Sequence, residues 1–139
     1  MKQRLLDILV CPYDKNWPLM LHTFEERDIE NAKLPSKDEN TNVVCRFYCA
    51  KKKIKLVEEK PDGNQVLLGN IKQINYEKDC RECLSHEVTA GVIECLKCKN
   101  YYPIIDEIPM MLKTELRNED IERDFTEKWA EKIKEMLQK

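Results

Sequence analysis

Glycine and aromatic residues are scarce in this chain, and the shortage limits what the chain can be. Only three glycines occur among 139 residues, and aromatics make up 7%. Gly-rich phosphate-binding loops of either common type are therefore absent. A large aromatic core is also unavailable, so we expect a modest core that depends on another source of stability.

An excess of positive charge is missing as well. The formal net charge is −2, whereas free-standing nucleic-acid-binding domains usually carry a clear basic excess. The one compact basic run is Lys51–Lys53, which we interpret as a solvated loop or strand edge.

Long hydrophobic runs are the third absence. No segment approaches the roughly 20 apolar residues that span a membrane. The apolar stretch at residues 5–10 is interrupted by Asp7 and runs into Cys11-Pro12 without a small-x-small cleavage site, unlike a signal peptide. We expect a soluble, cytoplasmic protein with no membrane partner, in which thiols stay reduced.

Cysteine is what the chain has in quantity. The seven cysteines include two CxxC motifs, Cys80–Cys83 and Cys95–Cys98. Two intervening residues let one tight turn aim both sulfurs at a single ion. Structural zinc supplies about 10–16 kcal/mol in a small module, against about 2–4 kcal/mol for a disulfide. The pattern predicts zinc.

The chain offers eight candidate ligands, enough for one or two zinc ions. Cys45 and Cys49 form a third cysteine pair, and Cys11 begins a CPxD variant of the motif that ends at Asp14. Two pairings are open. One joins the two CxxC motifs and leaves the others as a weaker site. The second joins Cys11 and Asp14 to the Cys95–Cys98 motif, and Cys45 and Cys49 to the Cys80–Cys83 motif. Spacing alone favours the first pairing, in which one ion is held by Cys80, Cys83, Cys95 and Cys98.

Catalytic groups are not evident. No carboxylate pair stands out for acid–base chemistry, and every cysteine but Cys11 belongs to a complete pair, which gives little support to a Cys–His nucleophile. His86 lies three residues after Cys83 and could substitute as a metal ligand, but for both His22 and His86 we expect an ordinary role at the surface or beside a ligand. A thiol oxidoreductase would require a metal-free, low-pKa cysteine. We therefore expect a protein that is not an enzyme.

Local patterns predict an α+β fold with a small antiparallel β-domain. Residues 3–9 have helical periodicity, residues 18–24 alternate like a strand, and residues 25–42 have loop composition. Asp62-Gly63 predicts the turn of a β-hairpin over residues 54–68, and residues 91–94 predict a strand. An apolar stripe after residue 112, with Asn118 as N-cap, predicts a C-terminal amphipathic helix.

Several segments together resemble one known family. They are Leu5-Leu6-Asp7-Ile8-Leu9-Val10-Cys11-Pro12, Pro18-Leu19, the block from Gly91 to Cys98, and Tyr102-Pro103-Ile104-Ile105-Asp106-Glu107-Ile108-Pro109-Met110-Met111-Leu112. The chain resembles the small zinc-binding activator subunit of methyltransferases found in archaea and eukaryotes, in its archaeal type with an insertion.

The resemblance implies a zinc-ribbon-like core at 1–24 and 80–112, an insertion at 25–79 with a loop and β-hairpin, and a C-terminal helix at 113–139. It implies one zinc held by Cys11, Asp14, Cys95 and Cys98, and assigns Cys45, Cys49, Cys80 and Cys83 to the insertion as a possible second site. Two residues depart from the family pattern: Asp14 replaces a cysteine, and Glu107 replaces a frequent glycine.

The resemblance also implies a non-catalytic subunit that forms a heterodimer with S-adenosylmethionine-dependent methyltransferases. These enzymes modify tRNA, rRNA or a translation release factor, so RNA is met only through the partner. Strand addition with burial of an apolar patch is the expected docking mode. We place the patch at Ile108, Pro109, Met110, Met111 and Leu112, because adjacent methionines adapt to several partners. The alternative is a nucleic-acid-binding zinc ribbon.

Overall fold

The computed structural model describes residues 1–138 and divides the chain into two compact units. The sheet unit comprises Met1, Val10–Arg27 and the chain from Val88 onward, and the insertion unit comprises Lys2–Leu9 and Asp28–Glu87. The predicted α+β class is confirmed. Our boundaries for core, insertion and tail stay a prediction. Within the described residues, no helix is long and apolar enough to cross a membrane.

The strands fall into two runs along the chain, within residues 20–67 and 86–109, with helical segments before, between and after them. The strands are β1 (Met20–Asp28), β2 (Tyr48–Cys49), β3 (Ile54–Lys55), β4 (Val57–Glu59), β5 (Gln65–Leu67), β6 (His86–Glu94), β7 (Tyr101–Ile105) and β8 (Ile108–Pro109). The α-helices are α1 (Arg81–Leu84), α2 (Glu119–Lys128) and α3 (Ala130–Leu137). Short 3-10 helices span Gln3–Asp7, Gly69–Gln73 and Thr114–Leu116, and a π-helical turn spans Tyr76–Cys80.

Four strands form the main sheet, in the order β1-β6-β7-β8. Strands β6 and β7 are antiparallel, with Gly91 opposite Ile104 and Glu94 opposite Tyr101. Strand β8 pairs with β7 through a two-residue turn in which Asp106 and Glu107 both have positive φ, as in a type I′ hairpin. Glu107 therefore occupies a conformation that favours glycine, and its carboxylate binds Arg27.

One face of the sheet packs against the C-terminal helices. Phe125, Ile133 and Met136 form a buried cluster with Ala90 and Val92. The ring of Phe24 stacks on Phe125 at 6.3 Å and lies 5.7 Å from that of Trp129, centroid to centroid. This packing is the expected use of an amphipathic stripe.

The C-terminal segment is two helices where the periodicity predicts one. Trp129, with φ −108° and ψ 21°, separates α2 from α3. Its N–H still donates to Phe125 O and its carbonyl accepts from Ile133, so the chain bends without losing these hydrogen bonds. The predicted N-cap is present, because Asn118 Oδ1 accepts the Ile121 N–H at 3.1 Å.

Arg117 ties the segment before α2 to the sheet. Its guanidinium donates to the carbonyls of Tyr101 and Leu112 and to the Glu122 carboxylate, at 2.8–3.0 Å. The same group lies over the Tyr102 ring, 5.0 Å from the centroid. Several partners for one planar cation fix this segment in place.

The insertion unit contains two small hairpins, the helical segments that follow them in the chain, and the 3-10 helix Gln3–Asp7. Strands β2 and β3 pair, as do β4 and β5. The predicted turn at residues 61–64 is present, with Gly63 at φ 87°. The β1 strand runs through Asp28, so the irregular segment begins later than we predicted. A small core holds the unit together, formed by Val43, Leu56 and Ile74 with Cys49 and Cys80.

Candidate metal centre

Two turns of the same design begin at Cys11 and Cys95. In each turn the carbonyl of the first cysteine accepts an N–H four residues on, from Lys15 or Lys99, at 2.9 Å. Both lysines have positive φ, 61° and 65°. Each first cysteine also donates its own N–H to the carbonyl five residues on, that of Asn16 or Asn100. These knuckle turns place the residues at positions 1 and 4, Cys11 with Asp14 and Cys95 with Cys98, on one side.

The two knuckle turns face each other. Cys11 Sγ lies 3.6 Å from Cys98 Sγ, and Cys95 Sγ lies 3.6 Å from both carboxylate oxygens of Asp14. One ligand atom from each of the four residues falls within 4.8 Å of every other. Zinc–sulfur bonds of ~2.3 Å in a tetrahedron put neighbouring sulfurs about 3.8 Å apart. The cluster can therefore hold a metal ion.

Hydrogen bonds favour negative charge at this cluster. Burial opposes ionisation of Cys98, but donors from Asn100, including its side-chain amide at 3.2 Å, hold the pKa of that thiol below its usual value. The Asn16 N–H, 2.9 Å from Asp14 Oδ1, lowers the pKa of Asp14. Burial raises the pKa of Cys95 despite N–H groups of Cys98 and Lys97 that point at its sulfur. Anionic ligands are what a divalent cation requires.

Tyr102 closes the inner side of the cluster. It is fully buried on β7, with its hydroxyl 3.1 Å from Cys11 Sγ. Burial, and then Cys11 itself, raises the pKa of Tyr102, so the hydroxyl keeps its proton and can donate it to a thiolate. Such donors orient a metal ligand and tune it. Sequence analysis did not identify this role, because Tyr102 is distant in sequence from Cys11.

The chain is similar to proteins of one known family. Residues 2–107 match the family of Trm112p-like proteins. The chain belongs to this family. A solved chain from the E. cuniculi Mtq2–Trm112 complex, responsible for methylation of the eRF1 translation termination factor, is 19% identical; the match covers 81% of this chain and 96% of that one, with a TM-score of 0.49. No curated protein matches significantly.

The remaining cysteines of this Trm112p-like chain lie in the insertion unit. Cys45, Cys49, Cys80 and Cys83 line one cavity of about 20 Å³. Burial raises the pKa of Cys45 and Cys49, and raises that of Cys83 to about 11. The raised pKa of these three thiols is the opposite of the lowered pKa that activates the cysteine of an oxidoreductase.

Both histidines pair with carboxylates in the Trm112p-like fold. His86 Nδ1 lies 2.9 Å from Asp28 Oδ1, and His22 Nε2 lies 3.9 Å from Glu94 Oε2. Neither belongs to the Cys11 cluster. Our expectation of ordinary roles for both histidines stays a prediction.

The residues predicted to bind a partner follow the segment that matches the Trm112p-like family. Ile108 is 58% exposed and Leu112 is 42% exposed, while Pro109, Met110 and Met111 are half-buried. Strand β8 is the last strand of the four-stranded sheet. The Met110 N–H donates inward to Pro103 O at 2.9 Å, which holds the segment against β7.

Proposed function

We propose that this protein is a non-catalytic, zinc-binding subunit that activates and stabilises S-adenosylmethionine-dependent methyltransferases. The substrates of those enzymes are tRNA, rRNA or a translation release factor, and the pairs work in the cytoplasm. Membership of the Trm112p-like family over residues 2–107 carries this proposal.

Zinc in the Cys11 cluster has a structural task. Cys11, Asp14, Cys95 and Cys98 supply four ligands, the number that a closed tetrahedral site needs. Catalytic zinc sites instead keep one position open for water or substrate. The bound ion joins the start of the chain to the turn between β6 and β7, which fixes the sheet that presents the docking surface.

The docking surface is the segment from Ile108 to Leu112. Two exposed aliphatic side chains flank adjacent methionines, whose unbranched side chains repack against differently shaped partners. The segment includes an end strand of the sheet, where main-chain groups are available to an added strand. Affinity would then come from main-chain hydrogen bonds and from burial of apolar side chains, so partners with different sequences could bind.

Nucleic-acid binding by the isolated protein finds less support. In the run Lys51–Lys53, which motivates the alternative, Lys51 binds Glu82 at 3.0 Å and Lys52 lies 3.7 Å from Asp79. Paired lysines contribute less to the attraction of phosphates. RNA would accordingly be contacted through the methyltransferase.

The test is affinity purification of the tagged protein from its native host, followed by mass spectrometry of stoichiometric partners. We expect one or more methyltransferases with the wild type. The double variant Ile108→Asp, Leu112→Asp should lose them, because it places charge in the apolar contact. The matched control Leu137→Asp changes a residue that is 66% exposed on α3 and should retain them.

Two results would contradict the proposal. Finding no methyltransferase among stoichiometric partners would remove the function itself. If the folded double variant still binds the methyltransferases, the proposed function holds but the docking surface is not the segment from Ile108 to Leu112. Far-UV circular dichroism of each variant establishes that it is folded.

A further inference from the structure

The insertion unit contains a second group of four cysteines that the proposed function does not use. Cys45, Cys49, Cys80 and Cys83 all line the same cavity of about 20 Å³. A space of this size admits about one water-sized sphere. Two of the four, Cys49 and Cys80, are themselves part of the unit's buried core.

Cys49 begins a turn that shares two features with the knuckle turn at Cys95, a lysine with positive φ four residues on and N–H groups directed at the cysteine sulfur. Lys53, four residues on, has φ 58°, and Ile54, five residues on, pairs with Cys49 across β2 and β3. The N–H groups of Lys51 and Lys52 point at the Cys49 sulfur, as those of Lys97 and Cys98 point at Cys95. The turn after Cys49 can therefore support a thiolate in the way that the turn after Cys95 does.

Cys80 and Cys83 reach the cavity from a different segment of the chain, the π-helical turn and α1. Cys80 ends the π-helical turn and Cys83 lies in α1, so the two residues are three positions apart and share one helical face. The Arg4 N–H donates to the Cys83 sulfur. With Lys51 and Lys52, this makes three backbone donors aimed at two sulfurs, and such donors would stabilise the thiolates that a bound cation requires.

Asp79 also lines the cavity but is engaged elsewhere. Its Oδ2 accepts the Asn75 N–H at 2.8 Å and lies 3.7 Å from Lys52 Nζ. The groups left to meet an ion are the four sulfurs. A tetrahedral set of four thiolates is selective for zinc and for iron, and it excludes hard ions such as Mg²⁺ and Ca²⁺.

We infer that Cys45, Cys49, Cys80 and Cys83 form a second, tetrathiolate zinc site that stabilises the insertion unit independently of the Cys11 cluster. Among residues 1–138 the Cys11 cluster is the group whose ligand atoms already lie within 4.8 Å of one another. An ion therefore draws the four insertion sulfurs closer together. The small core of the unit makes such a metal contribution valuable.

The test is zinc content of the full chain purified under reducing conditions, measured by atomic emission against amino-acid analysis. Wild type should hold about two equivalents, as expected for two four-ligand sites. Cys83→Ser should lose about one of them. Its matched control, Cys98→Ser, should also lose about one but from the other site, and the double variant should hold almost none.

Cobalt distinguishes the two sites in the single variants. Metal-free protein is titrated with Co²⁺ alone, and the sulfur-to-cobalt charge-transfer absorption is read per bound ion. The ion left in Cys98→Ser has four thiolate ligands and should absorb more strongly than the ion left in Cys83→Ser, which has three thiolates and a carboxylate. Equal absorption in both variants would overturn the assignment.

Two further results would overturn the inference even if Cys83→Ser does not fold, because neither depends on that variant. One is a wild-type content of one equivalent that Cys98→Ser abolishes. The other is a non-reduced mass lower by about 2 Da for each disulfide formed among these cysteines. Neither result affects the proposed partnership with methyltransferases, which depends on the sheet unit.

Discussion

Asp14 holds the position in its knuckle turn that Cys98 holds in the other. The two turns share their main-chain hydrogen bonds, so the replacement changes the ligand without changing the backbone that presents it. A carboxylate is a harder ligand than a thiolate and binds zinc through oxygen at about 2.0–2.2 Å. The exchange should weaken the site's preference for soft ions.

Asp14→Cys should therefore tighten zinc binding. Restoring a thiolate should raise affinity on the order of tenfold, which corresponds to about 1.4 kcal/mol. Competition with a chromogenic chelator measures the change. Asp14→Asn, which removes the charge but keeps the shape, should bind zinc more weakly than wild type; unchanged affinity in both variants would show that Asp14 is not a ligand.

Asp7 is a buried carboxylate whose purpose is not obvious from the sequence, where it only interrupts an apolar stretch. One oxygen accepts the N–H groups of Phe47 and Tyr48 at 2.7 Å, and the other accepts that of Arg46 at 2.9 Å. The carboxylate therefore organises the backbone that leads from Cys45 into β2. Hydrogen bonds to charged groups are stronger than neutral ones.

Asp7→Asn should destabilise the protein by about 1.5–3 kcal/mol, since the amide offers one acceptor oxygen where the carboxylate offers two. Urea unfolding at fixed zinc concentration measures the loss. Asp62→Asn, in an exposed turn, is the control and should change stability by less than about 0.5 kcal/mol. A similar small change for Asp7→Asn would mean that the three N–H groups find other acceptors.

At the scale of elements, the pairing of β1 with β6 depends on a close backbone approach. A Cβ added at Gly91 would lie 2.4 Å from the His22 carbonyl oxygen and 3.3 Å from Thr23 Cα. Both neighbours are main-chain atoms, which cannot rotate away. Glycine within a strand often marks such an approach.

Gly91→Ala should accordingly destabilise the sheet unit by about 1–3 kcal/mol, the usual cost of overpacking. Thermal unfolding with zinc present would measure it. Gly69→Ala provides the control, because a Cβ there meets nothing within 4 Å. If the two variants melt alike, β1 and β6 have more freedom to separate than this contact allows.

Local elements were predictable to the extent that their causes are local. The Asp62-Gly63 turn and the Asn118 N-cap follow from the conformations and hydrogen bonds of the residues that form them. The bend at Trp129 was missed because it accompanies tertiary packing against Phe24. Periodicity within a helix carries no information on that contact.

The ligand sets show where spacing stops being informative. Spacing alone favours joining Cys80 and Cys83 to Cys95 and Cys98, because those cysteines are closest in sequence. The structure instead brings Cys11 and Asp14 beside Cys95 and Cys98. That proximity depends on the sheet between the two turns, and a long-range pairing of this kind leaves no mark on the local sequence. The residue types in the sequence were enough to predict a zinc site, whereas the spacing between cysteines did not predict which of them lie together.

At the scale of the whole molecule, metal should account for a large part of stability. Structural zinc contributes about 10–16 kcal/mol in small modules, which is comparable to the ~5–15 kcal/mol net stability of a typical domain. We expect complete chelation to lower the melting temperature markedly and zinc to restore it. Calorimetry with and without chelator measures the effect, and an unchanged curve after verified metal removal would contradict it.

The position of the ligands in the chain also sets an order of assembly during translation. All residues of the insertion unit, including Cys45 and Cys83, have been synthesised by Glu87. The Cys11 cluster has to wait for Cys98, 87 residues after Cys11. At ribosomal rates of ~5–20 residues per second, the thiol of Cys11 spends roughly 4–17 seconds without its partners. A nascent chain of this protein is thus exposed to oxidation and to competing metals at its first cysteine for that time, and the insertion unit can close shortly before the Cys11 cluster, once Glu87 has been added.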